Sequence, residues 1–169
     1  RELRQAVAAG VLLNAESQRE VRLLAQIAQE TGRPARVAVR VNPDFELKSA
    51  GMRMGGGPKP FGVDAEQVPA LLAEIASLGL AFEGFHLFWG AQNLVPEAIC
   101  EAQRKSFELA VALSRHAPGP VKVLNIGGGF GIPYFPGERA LDLTPIVANL
   151  AALVERAGAG RIEDKRPIT

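Results

Sequence analysis

The sequence predicts an α/β fold, a parallel sheet with helices packed outside it. Three observations carry this. Short apolar runs of strand length alternate with stretches of helical periodicity. Their spacing varies, and no internal repeat appears, which argues against a solenoid. The unusual residues gather at the C-terminal ends of the strand runs, where α/β chains place their ligand chemistry.

The elements follow in order. "VLLNAE" (11–16) reads as a strand, and Ser17 and Glu20 have capping-box spacing for a helix carrying Leu24, Ile27 and Ala28 on its apolar stripe. "ARVAVRVN" (35–42) is a second strand, β-branched at alternate positions. A long loop precedes a helix marked by Val68, Leu71, Leu72, Ile75 and Leu78, with Pro69 near its start. "LAFEGFHLF" (80–88) is the third strand, and Pro96 leads into a helix bearing Ile99, Ala102, Leu109 and Leu113. "VKVLNI" (121–126) is the fourth strand. Thr144 as N-cap with Pro145 at the first helical position opens the last helix, and Gly158 and Gly160 close it.

The totals set the function classes. A chain of 169 residues, 47% hydrophobic and 22% charged, predicts one globular domain. A net charge of +1 without a Lys/Arg cluster gives no electrostatic case for nucleic acid or an anionic membrane. No apolar run approaches the roughly 20 residues that span a bilayer. The single cysteine, Cys100, excludes an internal disulfide, suits a cytoplasmic protein and reads as a small helix residue. "RELRQAVAAG" lacks both a signal-peptide pattern and an initiating Met, so the chain is expected to be a piece of something longer. His116 follows a helix near its C-terminal end, where a solvated or dipole-favoured role is expected.

Gly127, Gly128 and Gly129 follow the fourth strand, with Gly131 close behind. They suit either a tight turn or a nest of bare N–H groups for a phosphate. The dinucleotide fingerprint fails, since Ile132 stands three residues after Gly129, and no Gly-Lys-Ser/Thr follows for a P-loop. Strand alternation puts His86, Phe88 and Gly90 on one face and Phe85, Leu87 and Trp89 on the other. His86 and Phe88 either flank a flat aromatic ligand or fill the core. Arg40, inside a strand, needs a partner, and a structural carboxylate or a ligand oxygen would each serve.

"VRVNPDFELKSAGMRMGGGPKPFGVDAEQV", "GFHLFWGAQNL" and "LNIGGGFGIPYF" together resemble the fold-type III pyridoxal-phosphate decarboxylases, which act on diaminopimelate, ornithine or arginine. The likeness is strongest to the branch associated with exosortase and exopolysaccharide gene clusters. It runs from residue 1 to about 157, leaving 158–169 as a divergent tail. It implies a partial (β/α)8 barrel of the alanine-racemase type, about four βα units from the middle to late strands. It also implies pyridoxal phosphate as cofactor, with Gly127, Gly128 and Gly129 on its phosphate, Arg40 near its ring, and His86, the first histidine of the family's H-x-H stretch, among the cofactor-binding residues. Phe88 stands where diaminopimelate decarboxylases have a ring-stacking histidine, and Ala91 where they have a phosphate-binding serine.

The same resemblance places the cofactor's lysine on an earlier strand and the pyridine-nitrogen carboxylate in a later E-P-G-R-like motif. Lys48, Lys59, Lys105, Lys122 and Lys165 fall outside the matching context. The chain itself is therefore expected to carry no catalytic residue and no metal site, and to be inactive alone. The parent protein is expected to decarboxylate a small-molecule amino acid or derivative, as a cytoplasmic homodimer. An alanine-racemase-type enzyme and an inert truncated barrel are the alternatives.

Overall fold

Val37, Val39 and Val41 are all under 2% exposed, and Arg40 between them is only partly buried. That alternation orients the whole sheet. The computed structural model describes residues 1–43 and 61–158. Its elements are α1 (Glu2–Ala8), β1 (Leu12–Ala15), α2 (Gln18–Thr31), β2 (Arg36–Asn42), β3 (Val63–Asp64), α3 (Val68–Ser77), β4 (Ala81–Leu87), α4 (Pro96–Ser114), β5 (Val123–Asn125) and α5 (Thr144–Gly158). A single 3₁₀ turn, Ala65–Gln67, leads into α3.

The sheet runs β1-β2-β4-β5, all neighbours parallel, with the two-residue β3 added beside the end of β2. This is the α/β class expected. The odd-numbered valines of β2 join Phe82, Phe85 and Leu87 of β4 against Val21 and Leu24 of α2, Leu72 and Ile75 of α3, and Leu113 of α4. Helices therefore cover this face, and its burial is the main stabilising term of the fold. Ala38, Arg40, Gly84 and His86 stand on the opposite, inner face and take no part in that cluster.

Phe82 and Phe85 lie three residues apart, a spacing that period-two alternation would put on opposite faces. The register shifts between Val37 and Ala38: Val37 pairs with Phe82 but Ala38 with Gly84. Glu83 is the extra residue of this β-bulge, which restores both phenylalanines to the helix side. Their rings meet edge to face at 5.3 Å between centroids. Glu83 itself takes a two-pronged bond from Arg36, Nε to Oε1 at 2.8 Å and Nη2 to Oε2 at 2.9 Å. At Gly84 a Cβ would stand 1.7 Å from the Val123 carbonyl oxygen, so only glycine lets β5 pair there.

The local chemistry departs from the sequence reading in three places. Ser17 caps α2 through the N–H of Glu20, as expected, but the Glu20 carboxylate returns to the N–H of Glu16 rather than to the cap residue. Thr144 is the first residue of α5 rather than its cap, and its N–H donates to Asp142 Oδ1, so Asp142 serves the helix start. Gly158 is still helical. The short α1 and β3 were not foreseen, because a seven-residue helix and a two-residue strand show too little periodicity.

α5 docks on α4 through Ile146 and Ile99, and Asn149 Nδ2 donates to Gln103 Oε1 at 2.7 Å. Cys100 is buried in α4 with its Sγ 3.5 Å from the Pro145 carbonyl oxygen, a packing role as expected. His116 is exposed just past α4. Among the described residues no helix is long and apolar enough to cross a membrane. The tail beyond 158, Lys48, Lys59 and most of the 43–62 loop lie outside the described residues.

Candidate functional site

One layer of side chains crosses the inner face near the C-terminal strand ends. Arg40 pairs in register with His86, and His86 with Asn125. Glu16, just past β1, joins the layer by accepting from Arg40 Nη1 at 2.7 Å. The Arg40 partner left open by the sequence is thus a structural carboxylate. Glu16 Oε2 also accepts from the N–H of Gly62 at 3.1 Å, which ties β1 to the segment entering β3. The guanidinium stands 5.3 Å from the centroid of the Phe61 ring, within cation–π range. Asn42, on the same face, donates from Nδ2 to Asp64 Oδ1 at 2.6 Å.

His86 is partly buried on this face, and its Nδ1 is enclosed without a hydrogen-bond partner. Desolvation, then the positive charge of Arg40, lower its pKa below the ordinary 6.5, while the Glu16 carboxylate pulls the other way. The imidazole is therefore held neutral at pH 7.

Asn125 links this layer to the glycine loop. Its Oδ1 accepts the N–H of Gly127 at 2.9 Å, turning the chain as β5 ends. Gly127 and Gly129 both have φ of +71°, while Gly128 between them does not. The loop is strapped to residues 87–93: the Trp89 indole donates to the Ile126 carbonyl at 3.0 Å, Asn93 N–H to Gly129 at 3.0 Å, and Gly131 N–H back to Asn93 at 2.9 Å. A Cβ at Gly127 would stand 3.1 Å from Cδ2 of the Phe88 ring, and one at Gly131 2.9 Å from the Gln92 carbonyl carbon. With Gly129, where a Cβ would stand 2.2 Å from the Gly90 carbonyl oxygen, three glycines are thus explained by close packing.

Gly128 is not. A Cβ there would meet nothing within 4 Å. Among the described residues none accepts from the N–H groups of Gly128 or Gly129. Bare donors at an open, glycine-lined turn suit an anion. Close packing of the turn thus accounts for the neighbouring glycines and leaves Gly128 outside it.

The structure therefore gathers Gly127, Gly128, Gly129, Phe88 and Ala91 in two adjoining loops, with Arg40 and His86 one step below them in the strands. Phe85 and Leu87 pack on the helix side, opposite His86, as alternation predicts. Trp89 is 3% exposed against Ile99 and Ile146. Sequence reasoning marked the strand ends but assigned no task to Glu16, Asn125, Asn93 or Trp89. Their signal was position alone: each is a polar or aromatic residue beyond the last apolar residue of a strand. A cleft of about 550 Å³ beside α3 is lined in part by Glu16, Gly62 and Asp64 of this layer, and by none of the glycine-loop residues.

The family model for the "pyridoxal-dependent decarboxylase, pyridoxal binding domain" matches residues 1–166. L-glutamyl-[BtrI acyl-carrier protein] decarboxylase of Niallia circulans is 35% identical over 158 residues, covering 92% of this chain and 37% of that protein. Diaminopimelate decarboxylase of Aquifex aeolicus is 35% identical over 142 residues, covering 82% and 34%. The crystal structure of diaminopimelate decarboxylase from Helicobacter pylori with L-lysine superposes with a TM-score of 0.74 at 26% identity, covering 91% of this chain and 39% of that one. The chain thus spans little more than a third of the relatives it matches, and its sheet is part of an alanine-racemase-like TIM barrel. By its matched length and its fold, the chain belongs to the pyridoxal-dependent decarboxylases, within their pyridoxal binding domain.

Proposed function

We propose that the full-length protein is a pyridoxal-phosphate-dependent decarboxylase of an amino acid or amino-acid derivative, and that this chain supplies part of its cofactor seat. The observation that carries the reading is the open Gly128, flanked by N–H groups that no described residue uses. A phosphate fits donors of that kind at close range, where a side chain would exclude it.

The residues present suit the group. Gly128 and Gly129 N–H would hold its phosphate, and Phe88, packed against Gly127, would face its ring. Arg40, oriented by Glu16, and His86 would line the ring from the strands below. Ala91 offers no hydroxyl, so the serine bond of diaminopimelate decarboxylases is missing and the backbone takes a larger share of the phosphate. When bound, pyridoxal phosphate supplies an electron-accepting ring for the pair released with carbon dioxide. This chain's part is to bind and orient.

The substrate class rests on the relatives: one acts on a carrier-bound glutamyl group and others on diaminopimelate. A basic or dicarboxylic amino acid, free or derivatised, is the reading they support. Assignment to the exopolysaccharide-associated branch rests on sequence likeness. A cytoplasmic homodimer rests on that likeness and on the single cysteine. Pyridoxal phosphate should bind the full-length protein and support carbon dioxide release from a panel of such amino acids. A loaded protein that releases none from any of them would overturn the decarboxylase reading.

A further inference from the structure

The glycine loop and Phe88 account for an anion and a flat ring; His86 lines that ring, and its polar edge has no partner assigned. Its place is well defined. Its backbone pairs with Arg40 on one side and Asn125 on the other, and the Glu16–Arg40 ion pair completes the layer. Nδ1 is enclosed with no partner, so the Nε2 edge of the ring is the part left toward the inner face. A proton on Nδ1 would be a buried donor with nothing to meet, which costs the desolvation of that group. A proton on both nitrogens would add a positive charge beside the Arg40 guanidinium. The arrangement that avoids both is the uncharged ring with its hydrogen on Nε2.

Such a ring donates one hydrogen bond outward. We propose that His86 is a neutral donor, its Nε2–H directed to the phenolic oxygen of pyridoxal phosphate, an inference that rests on the cofactor reading above. The cofactor's phosphate is committed to the glycine loop. Of the remaining acceptors, the phenolic oxygen carries negative charge when ionised, and a donor standing beside a guanidinium favours an anionic oxygen. Burial and Arg40 both hold the imidazole in the uncharged state this requires, and Glu16, the other charged group in the layer, is already engaged by Arg40 and Gly62.

The test uses the full-length protein and does not depend on turnover. Nitrogen-15 NMR of the histidine ring should show an uncharged Nε2–H tautomer at pH 7, titrating below the ordinary histidine range. Pyridoxal phosphate affinity, read by absorbance titration, should fall about tenfold or more in His86→Leu, the loss expected for one hydrogen bond to a charged group. His86→Gln, which keeps an N–H donor, should recover part of that loss at an unchanged thermal midpoint. An imidazolium or an Nδ1–H tautomer at pH 7 would overturn the inference. So would parental affinity in His86→Leu. If the parent itself binds no pyridoxal phosphate, the proposed function falls and this inference with it, whereas a binding parent with an equally binding leucine variant removes the inference alone.

Discussion

The backbones of Gly90 and Gly129 touch: a Cβ added at Gly129 would stand 2.2 Å from the Gly90 carbonyl oxygen. Gly128, one residue away, has open space on the same test. Neighbouring glycines thus answer to different demands, one to packing and one to approach from outside.

Substitution separates them. Gly128→Val should leave the thermal midpoint near that of the parent, since a substitution into open space costs about 0.5 kcal/mol or less. Pyridoxal phosphate affinity of the full-length protein should fall at least about tenfold, from one or more lost charge-assisted bonds. Gly129→Ala should instead destabilise by about 2 kcal/mol, because its φ of +71° and the Gly90 oxygen both oppose a side chain. Denaturant unfolding and cofactor titration together check the pair, and an unchanged affinity in folded Gly128→Val would remove the phosphate assignment.

Phe88 tests the ring-facing role. Phe88→Ala should weaken pyridoxal phosphate binding by about 0.5–1.5 kcal/mol of stacking, plus lost contact area. Phe88→His should lose less, since its flat ring can still stack. Equal affinities in parent and both variants would make Phe88 a packing residue against Gly127.

At the other end of the sheet, Gly84→Ala should cost about 2 kcal/mol or more, measured by denaturant unfolding. The added methyl would collide with the Val123 carbonyl, and β4–β5 pairing must open to admit it.

Acid should weaken the fold in two steps. His86 has a lowered pKa, so near pH 6.5 the unfolded chain takes up a proton that the folded chain refuses. Its contribution is complete above that pH and is lost as the pH falls toward the folded value. His86→Gln should flatten this part of the stability curve. The Arg36 guanidinium lowers the pKa of Glu83 below the ordinary 4.5, so that contribution is lost at lower pH, as the carboxylate protonates. Chemical denaturation between pH 4 and 8 reads both steps.

The isolated 169-residue chain should show no stoichiometric labelling of Lys105 or Lys122 after incubation with pyridoxal phosphate and borohydride. Lys105 sits on α4 paired with Glu101, and Lys122 precedes β5, at the opposite strand end from the glycine loop. Mass spectrometry of the peptides decides it.

Read alone, the sequence determined the class of the fold, most strand and helix positions and the strand ends where the site would lie. Alternating β-branched residues, a Ser17 cap and Pro at helix starts act locally, within one turn or one strand, so they are legible in a linear string. What only the tertiary structure decided were relations between distant segments. The Glu83 bulge exists because β2 and β4 must share a face. Arg40 found its carboxylate 24 residues away in Glu16, across two strands. The division of the glycines arose because Gly129 meets Gly90 and Gly127 meets Phe88, while Gly128 meets nothing. A glycine in a string shows only that a side chain is absent; which neighbour required its absence is a property of the packed chain.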